Sequence, residues 1–191
     1  MSFLRPSALY QLLITFNSLK WMPCMFFGYP NFQGIIRLVI MFLLWSTFTE
    51  MCHISSSSMS PTLRVGDRIF VEKASYFFRR PALHDIVIFR AHLNQPSFRE
   101  GDMLIKRIVA RAGDLIEVHD GRLYVNGLAM KEDFVTEKPK YAIHPTYVPR
   151  GHVYVLGDNR NNSCDSHIWG SLPIKNVVGR CAMRYYRRPV I

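Results

Sequence analysis

The chain of 191 residues carries two hydrophobicity patterns, and the first is a continuous apolar stretch, GIIRLVIMFLLWSTFTEMCHI, from Gly34 to Ile54. It has twelve residues without formal charge between Arg37 and Glu50. A helix that spans a bilayer needs about 20 mostly apolar residues. The stretch reaches that length if Arg37 snorkels at one end and Glu50 lies at the other interface. It therefore predicts one transmembrane helix over 34–54, with a buried amphipathic helix or the core of a cleavable signal as alternatives.

The second pattern begins after Gly66 and consists of short segments rich in β-branched and aromatic residues, separated by Gly, Asp, Asn and Pro. Such segments are typical of β-strands joined by turns. The predicted strands are 68–72, 85–89, 103–110, 115–119, 122–125, 152–156 and 177–186. Asp120-Gly121 suits a tight hairpin turn, whose central residues need positive φ, and the three prolines of 136–150 predict a long loop. The fold class predicted is mainly β, with antiparallel strands.

The positive charges near the apolar stretch predict its orientation. Arg5, Lys20 and Arg37 come before or within its start, whereas Met51–Leu63 contains no Lys or Arg. By the positive-inside rule, the N-terminus lies on the cis side of the membrane and the β domain on the trans side.

The net charge of +10 does not by itself indicate a nucleic-acid-binding protein. The longest basic clusters are the pairs Arg79-Arg80 and Arg187-Arg188. The sequence has no zinc-finger spacing and no Gly-rich phosphate loop, so we expect no nucleic-acid partner.

The cysteine spacing predicts no metal site. The four cysteines are Cys24, Cys52, Cys164 and Cys181. None belongs to a CxxC pair, which a structural zinc site would usually require. A disulfide between Cys164 and Cys181 is possible if their strands meet in an oxidising compartment, but we favour free thiols.

The predicted strand 103–110, MLIKRIVA, is apolar on both faces, which indicates a central strand. One of its two basic residues, Lys106 or Arg107, should therefore be buried, although alternation does not say which. Arginine cannot lose its proton in proteins, whereas burial lowers the lysine pKa from about 10.4 by up to several units. A neutral Lys106 would be a general base; a charged Lys106 that reaches the strand edge is the alternative.

A serine run, ISSSSMSPTLRVG, directly follows the apolar stretch. Such runs are usually flexible spacers. Here Pro61 restricts Ser60 to extended geometry, so the segment is stiffer than a Gly/Ser linker. A serine at this place and a neutral lysine would form a serine–lysine dyad, a known variant of the Ser-His-Asp triad.

Three blocks of the sequence resemble the type I signal peptidases, family S26: SSSSMSPTLRVGDRIFVEK, GDMLIKRIVARAGDLIEV and GHVYVLGDNRNNSCDSHIWGSLPIKNVVGR. They occur in the family's order and cover most of 54–180. The third block is most similar to the plant thylakoidal processing peptidases and their cyanobacterial relatives, with the mitochondrial inner-membrane peptidase as a second resemblance. The resemblance implies a cis-side segment at 1–33, a transmembrane helix at 34–54 and a signal peptidase-like catalytic β domain at 55–191.

The resemblance also assigns roles to residues. Ser58 is the implied nucleophile and Lys106 its general base, while the Ser56 hydroxyl joins the Ser58 N–H in an oxyanion hole and Ser163 orients the lysine. The residues that shape the site are then Asp158, Asn159, Arg160 and Asp165. His167 stands where bacterial members often have arginine, and Ser55–Ser58 lacks the Pro or Gly that members often show there. No metal or cofactor is implied.

Such an enzyme would be a membrane-bound serine endopeptidase that removes signal or transit sequences from translocated precursor proteins. Its expected partners are precursors with small residues before the cleavage site, in an A-x-A-like pattern, and the lipid bilayer. The expected location is an organellar membrane, with the chloroplast thylakoid or envelope favoured over the mitochondrial inner membrane.

Three other functions are compatible with parts of the sequence. The first is a Ser-His-Asp hydrolase that pairs Ser58 with a histidine. The candidate histidines are His84, His119, His152 and His167. The second is a non-catalytic membrane subunit or adaptor that keeps the fold, and the third is a self-cleaving regulator with a serine–lysine dyad. The apolar stretch speaks against the third, because such regulators are soluble.

Overall fold

The computed structural model of the protein describes residues 32–91, 98–99 and 101–187. The predicted cis-side segment 1–33 therefore lies, apart from its last two residues, outside the described part of the chain. The chain divides into two compact units, Met1–Thr47 and Phe48–Ile191.

The apolar stretch forms helix α1, Phe32–Phe48. The predicted helix over 34–54 is wrong in its last part, because Thr49–His53 is a β-strand, β1. The physical reason is a partner distant in sequence: β1 pairs residue by residue with Arg68–Glu72, so the strand ladder satisfies its backbone groups. Among the described residues, no helix combines the length and the apolar character that crossing a bilayer requires.

Strands make up most of the regular secondary structure in the second unit. They are β1 (Thr49–His53), β2 (Arg68–Glu72), β3 (Ile86–Arg90), β4 (Met103–Arg111), β5 (Leu115–His119), β6 (Arg122–Val125), β7 (Leu128–Ala129), β8 (Ile143–Tyr147), β9 (His152–Leu156), β10 (Leu172–Pro173) and β11 (Val177–Tyr186). The short helices are α2 (Ser75–Phe78) and α3 (Ser166–Trp169), and two 3₁₀ turns cover Arg160–Asn162 and Ile174–Asn176.

These strands form two sheets. The larger has the order β1-β2-β11-β3-β4-β9-β10 and the smaller the order β7-β6-β5-β8. Each described strand pairing is antiparallel. The prediction of a mainly β, antiparallel domain is therefore confirmed, and the Asp120-Gly121 turn has positive φ at both residues.

The larger sheet is covered by apolar side chains on both faces. Val87 and Phe89 of β3 belong to one buried cluster, whereas Ile88 between them belongs to another, which includes Met59. Strand β4 lies inside the sheet between β3 and β9, so the prediction of a central strand is confirmed. A strand with this position can hold a side chain away from water.

Strand β8 was not predicted, because its region contains three prolines. It lies at the edge of the smaller sheet and pairs only with β5 among the described strands. An edge strand tolerates Pro145, since one side of the strand needs no ladder hydrogen bond. The predicted loop over 136–150 is thus interrupted at Ile143–Tyr147.

Candidate active site

The structure brings two of the predicted residues into direct contact: the Ser58 Oγ lies 2.8 Å from the Lys106 Nζ. The two residues are 48 positions apart, and both are buried, with exposed fractions of 7% and 3%. Strand β4 supplies Lys106, and the turn after β1 supplies Ser58.

The serine run is a fixed turn. Ile54 and Met59, at its two ends, are core residues. Inside the turn, the Ser60 N–H donates to the Ser57 carbonyl at 3.0 Å, and the Leu63 N–H donates to the Met59 carbonyl at 2.9 Å. Buried anchors on both sides of Ser58 hold its backbone in place, which a flexible spacer would not have.

Burial decides the protonation of Lys106. Removal from water disfavours the ammonium form, so burial lowers the Lys106 pKa below its ordinary value, and the negative charges of Asp165 and Asp158 raise it by less. The two hydrogen bonds of Nζ go to neutral oxygens, the Ser58 hydroxyl and the Ile105 carbonyl at 3.0 Å. These surroundings favour the neutral, basic form of Lys106 more than water does.

Arg107, the next residue, is also buried, and its charge is neutralised. Its Nε and one terminal nitrogen donate to the two Asp158 oxygens at 2.8 and 2.7 Å, and its guanidinium lies 4.0 Å from the centre of the Phe134 ring. Asp158 also accepts from the Thr62 hydroxyl at 2.6 Å. Asp158 thereby joins strand β4 to the segment that follows Ser58.

Asn159 holds the serine turn from the other side. Its N–H donates to the Ser58 carbonyl at 3.0 Å, and its side-chain amide donates to the Ser57 carbonyl at 3.2 Å. Asn162 also donates to the Ser57 hydroxyl, at 3.1 Å. Asn162 was not among the predicted site residues, although it belongs to the same GDNRNNS block.

Gly157 lies where the third block meets the nucleophile turn. A Cβ at this residue would come within 2.3 Å of the Ser163 Oγ and 2.5 Å of the Ser58 carbonyl oxygen. Only glycine allows so close an approach. The Ser163 hydroxyl is buried and has no hydrogen-bond partner among the described residues, so its predicted contact with Lys106 is not formed.

Asp165 is buried, and His167, which stands where bacterial members often have arginine, is within hydrogen-bond distance of its carboxylate. Its carboxylate accepts from the Gly157 N–H at 2.8 Å and lies 2.7 Å from the His167 Nδ1. Arg160, which is 1% exposed, donates from Nε to the Gly157 carbonyl at 3.2 Å and forms an ion pair with Glu132. Glu132 was not among the site residues predicted from the sequence.

A groove of about 550 Å³ opens beside the Ser58–Lys106 pair. Residues 52–53 of β1, Ile54 after it and residues 103–106 of β4 line it, and Ile69 and Ile88 contribute apolar surface. The Ser56 Oγ lies 3.2 Å from the Ser58 Oγ and lines the same groove. A polypeptide in this groove would meet the serine hydroxyls at one end and apolar side chains along its length.

Other site chemistries receive less support from the geometry. The Ser58 hydroxyl has Lys106 and Ser56 as its described partners, whereas His119 and His152 bond to Asp120 and Arg150. In the described part of the chain, no cluster of three or more His, Cys, Asp or Glu residues is placed to hold a metal ion. The three described cysteines, Cys52, Cys164 and Cys181, are free thiols.

Comparison with known proteins gives consistent matches. The family model described as "Signal peptidase, peptidase S26" matches residues 32–186. Thylakoidal processing peptidase 1, chloroplastic, of Arabidopsis thaliana is 51% identical over 154 residues, which are 78% of this chain and 45% of that protein. Probable signal peptidase I-1 of Synechocystis is 41% identical over 154 residues, 80% of this chain and 79% of that protein.

A crystal structure of a signal peptidase I from Enterococcus faecalis is 29% identical, covers 55% of this chain and 98% of that chain, and has a TM-score of 0.46. The chain spans less than half the length of the two Arabidopsis relatives that it matches, 45% and 41%. The resemblance inferred from the three sequence blocks, to plant thylakoidal and cyanobacterial enzymes, is confirmed by these matches.

Proposed function

The chain belongs to the signal peptidase family, peptidase S26, and we propose that it is a serine endopeptidase that removes signal or transit sequences from translocated precursor proteins. One observation carries the proposal: the Ser58 hydroxyl lies 2.8 Å from the amine of a buried lysine whose hydrogen bonds go to neutral oxygens. A lysine of lowered pKa within hydrogen-bond distance of a serine is the arrangement that a serine–lysine dyad needs.

The first chemical step uses the dyad directly. Neutral Lys106 accepts the proton of the Ser58 hydroxyl through its lone pair as the oxygen attacks the peptide carbonyl. The tetrahedral oxyanion is stabilised by the Ser58 N–H and the Ser56 hydroxyl, which lies 3.2 Å from the nucleophile oxygen. One such donor, placed before reaction, contributes about 3 kcal/mol.

The second step releases the two products. The Lys106 ammonium donates its proton to the leaving amine, and the carbonyl carbon stays attached to Ser58 as an ester. Neutral Lys106 then takes a proton from a water molecule, which attacks the ester, and Ser58 regains its proton when the ester bond breaks. The site residues need no metal for these steps.

The groove supports an extended polypeptide as the substrate. Strand β1 is one of the two edge strands of the larger sheet, and an edge strand can hydrogen-bond with an added strand. Ile54, Ile88 and Ile105 line the groove next to Ser58. Apolar surface beside the nucleophile disfavours charged side chains next to the cleaved bond, and the small residues of the expected A-x-A-like pattern are uncharged.

A membrane location is part of the proposal. Helix α1 exposes large apolar side chains along its length, among them Leu38, Phe42 and Trp45. Exposed apolar surface of this kind is stabilised by an apolar environment, so we propose that the helix lies in a bilayer, with the β unit on the trans side. The names of the Arabidopsis relatives favour the chloroplast, and the mitochondrial inner membrane is the alternative.

The decisive experiment compares wild-type protein with Ser58→Ala, both solubilised in detergent, on a signal-bearing precursor. Ser60→Ala is the matched control, because it lies in the same run and does not line the groove. We expect cleavage after a small residue by the wild type and Ser60→Ala, and none by Ser58→Ala. Equal cleavage by all three would remove Ser58 from the mechanism, and no cleavage of several precursors would favour a non-catalytic subunit.

A further inference from the structure

The segment Met130–Tyr141, which we name the strap, joins β7 to β8, and only its part from residue 136 onward belongs to the predicted loop. Three of its side chains contact three residues behind the candidate active site. We propose that the strap holds the loop Gly157–Asp165 in its working position and that Glu132 is a positioning residue for the reaction. This inference rests on the proposed function.

The strongest contact is the ion pair between Glu132 and Arg160. Two guanidinium nitrogens of Arg160 donate to the two Glu132 oxygens, at 2.8 and 2.5 Å. The side chains are 10% and 1% exposed. A bidentate pair with so little exposure fixes both position and direction, unlike a surface ion pair.

The other two contacts are aromatic. Phe134 lies over the Arg107 guanidinium at 4.0 Å, and Tyr141 stacks on His167 with ring centres 4.1 Å apart and an angle of 11°. The Tyr141 hydroxyl is buried and has no hydrogen-bond partner among the described residues. The ring, rather than the hydroxyl, therefore makes the useful contact of this residue.

All three contacts lead to the same loop. Arg160 donates to the Gly157 carbonyl, and Asp165, the partner of His167, accepts from the Gly157 N–H. Arg107 binds Asp158, the next residue. The strap thus holds the Gly157 carbonyl in place through Arg160 and the Gly157 N–H through His167 and Asp165. Gly157 in turn lies so close to the Ser163 Oγ and the Ser58 carbonyl that a Cβ on it would clash with both.

The strap also forms exposed hydrogen bonds with Asn161 of the loop. The Lys140 N–H donates to the Asn161 side-chain oxygen at 2.9 Å, and the Asn161 amide donates to the Glu137 carboxylate at 3.1 Å. These groups are exposed, so they contribute less than the buried Glu132 pair. Glu137 consequently offers a matched control on the same segment.

The experiment measures kcat and KM of Glu132→Gln and Glu137→Gln in the full-length protein, at a temperature where circular dichroism shows both folded. Displacement of catalytic groups by about 1 Å costs roughly 100-fold in rate. We expect Glu132→Gln to lower kcat by that order with little change in KM, and Glu137→Gln to behave as wild type. Glu132→Asp, which keeps the charge, should recover part of the loss.

A role in stability alone would give a different result. If Glu132→Gln lowers only the unfolding midpoint and keeps the kcat of Glu137→Gln, the proposal is overturned. Should Glu132→Gln fail to fold, Tyr141→Leu replaces it, with Tyr141→Phe as its control, because the latter keeps the stacked ring. Equal kcat in that pair would also overturn the proposal.

Hydrogen exchange separates this inference from the proposed function. In Glu132→Gln, but not in Glu137→Gln, the amides of residues 157–165 should exchange faster than in wild type. If the wild-type protein cleaves no precursor but Glu132→Gln still exchanges faster than wild type, the peptidase assignment fails while the strap still holds the loop. Unchanged exchange in Glu132→Gln would show that the strap does not hold it.

Discussion

Lys106 and Arg107 are adjacent on one strand, are both almost fully buried, and differ in nearly every contact that matters for charge. Arg107 has a bidentate carboxylate partner, Asp158, and an aromatic ring against its guanidinium. The Lys106 amine bonds to a hydroxyl and a carbonyl. One strand thus holds a neutralised permanent cation beside an amine for which burial favours the neutral form.

This difference shows that burial alone does not make a base. Burial penalises any charged group, and an opposite charge offsets the penalty. The structure supplies that opposite charge to the arginine, which cannot lose its proton, and supplies neutral oxygens to the lysine, which can. Asp158 is essential to the contrast because it pairs with Arg107 rather than with Lys106.

The largest expected effect comes from removing the neutral amine. Lys106→Met should lower kcat by roughly 10²–10⁴-fold, the usual contribution of a general base. Lys106→Arg should fail as well, because arginine stays charged and donates where a base must accept. The measurement is single-turnover cleavage of a signal-bearing precursor, with Lys131→Met, a lysine on the exposed surface, as the control.

An active Lys106→Arg enzyme would contradict the neutral-base mechanism. It would mean that a positive charge near Ser58 is sufficient. The contrast between the two neighbouring cations would then have no catalytic meaning.

The second prediction concerns the paired cation. Asp158→Asn leaves Arg107 buried without its anion, and breaking a buried pair in this way costs roughly 3–5 kcal/mol of unfolding free energy. Asp133→Asn makes the same chemical change in an exposed ion pair and should cost almost nothing. Urea unfolding of both variants checks this. Equal costs would mean that Arg107 gains no more from Asp158 than a surface residue gains from its partner.

Much of this fold could be predicted because its strands have local signals. Alternating apolar residues bounded by turn residues located β5, β6, β9 and β11 at the bounds that the structure has. The segment Thr49–His53 has no such signal, since its composition continues the apolar helix and only its pairing with Arg68–Glu72 makes it a strand. Strand β8 was missed for the opposite reason. Its Pro145 is a local signal against a strand, but an edge strand tolerates a proline.

The site shows the same limit. Ser58 and Lys106 could be predicted from sequence blocks, but alternation could not choose between Lys106 and Arg107, because the choice depends on Asp158, 51 residues after Arg107. Glu132 lies 28 residues from Arg160 in a segment without a motif. Contacts of this kind arise from the packing of loops, and no local pattern encodes them.

The third prediction concerns how the stability that Lys106 contributes depends on pH. Folded Lys106 has a lowered pKa, so below the ordinary lysine value of about 10.4 the unfolded chain binds more protons than the folded one. The unfolding free energy of wild type relative to Lys106→Met should therefore rise with pH, from the folded pKa up to that value. The cleavage rate should rise with pH as well, because the amine becomes neutral.

Unfolding free energies at pH 7 and pH 10, measured for wild type and Lys106→Met, test this prediction. Lys131→Met is the control, because it makes the same substitution at a lysine on the exposed surface. A constant difference between wild type and Lys106→Met would mean that Lys106 titrates alike in the folded and unfolded states. Burial would then have no part in making it a base.

The smallest expected effect comes from Ser163→Ala, which tests how the Lys106 amine is oriented. A neutral amine has two N–H groups and one lone pair; the Ile105 carbonyl accepts one N–H, and the lone pair must face Ser58. We predict that the buried Ser163 hydroxyl, which has no partner among the described residues, accepts the second N–H when substrate closes the groove. Ser163→Ala should then reduce kcat by about tenfold, within the usual net worth of a hydrogen bond, about 0.5–1.5 kcal/mol.

The stability of Ser163→Ala distinguishes this orienting role from a structural one. Removing a buried hydroxyl that forms no hydrogen bond should leave the unfolding free energy unchanged or slightly higher. Reduced kcat at undiminished stability would mean that Lys106 needs an orienting acceptor, as Arg107 has in Asp158. Unchanged kcat would mean that the contacts with Ser58 and Ile105 orient the amine sufficiently, and lower stability would mean that Ser163 already has a structural role before substrate binds.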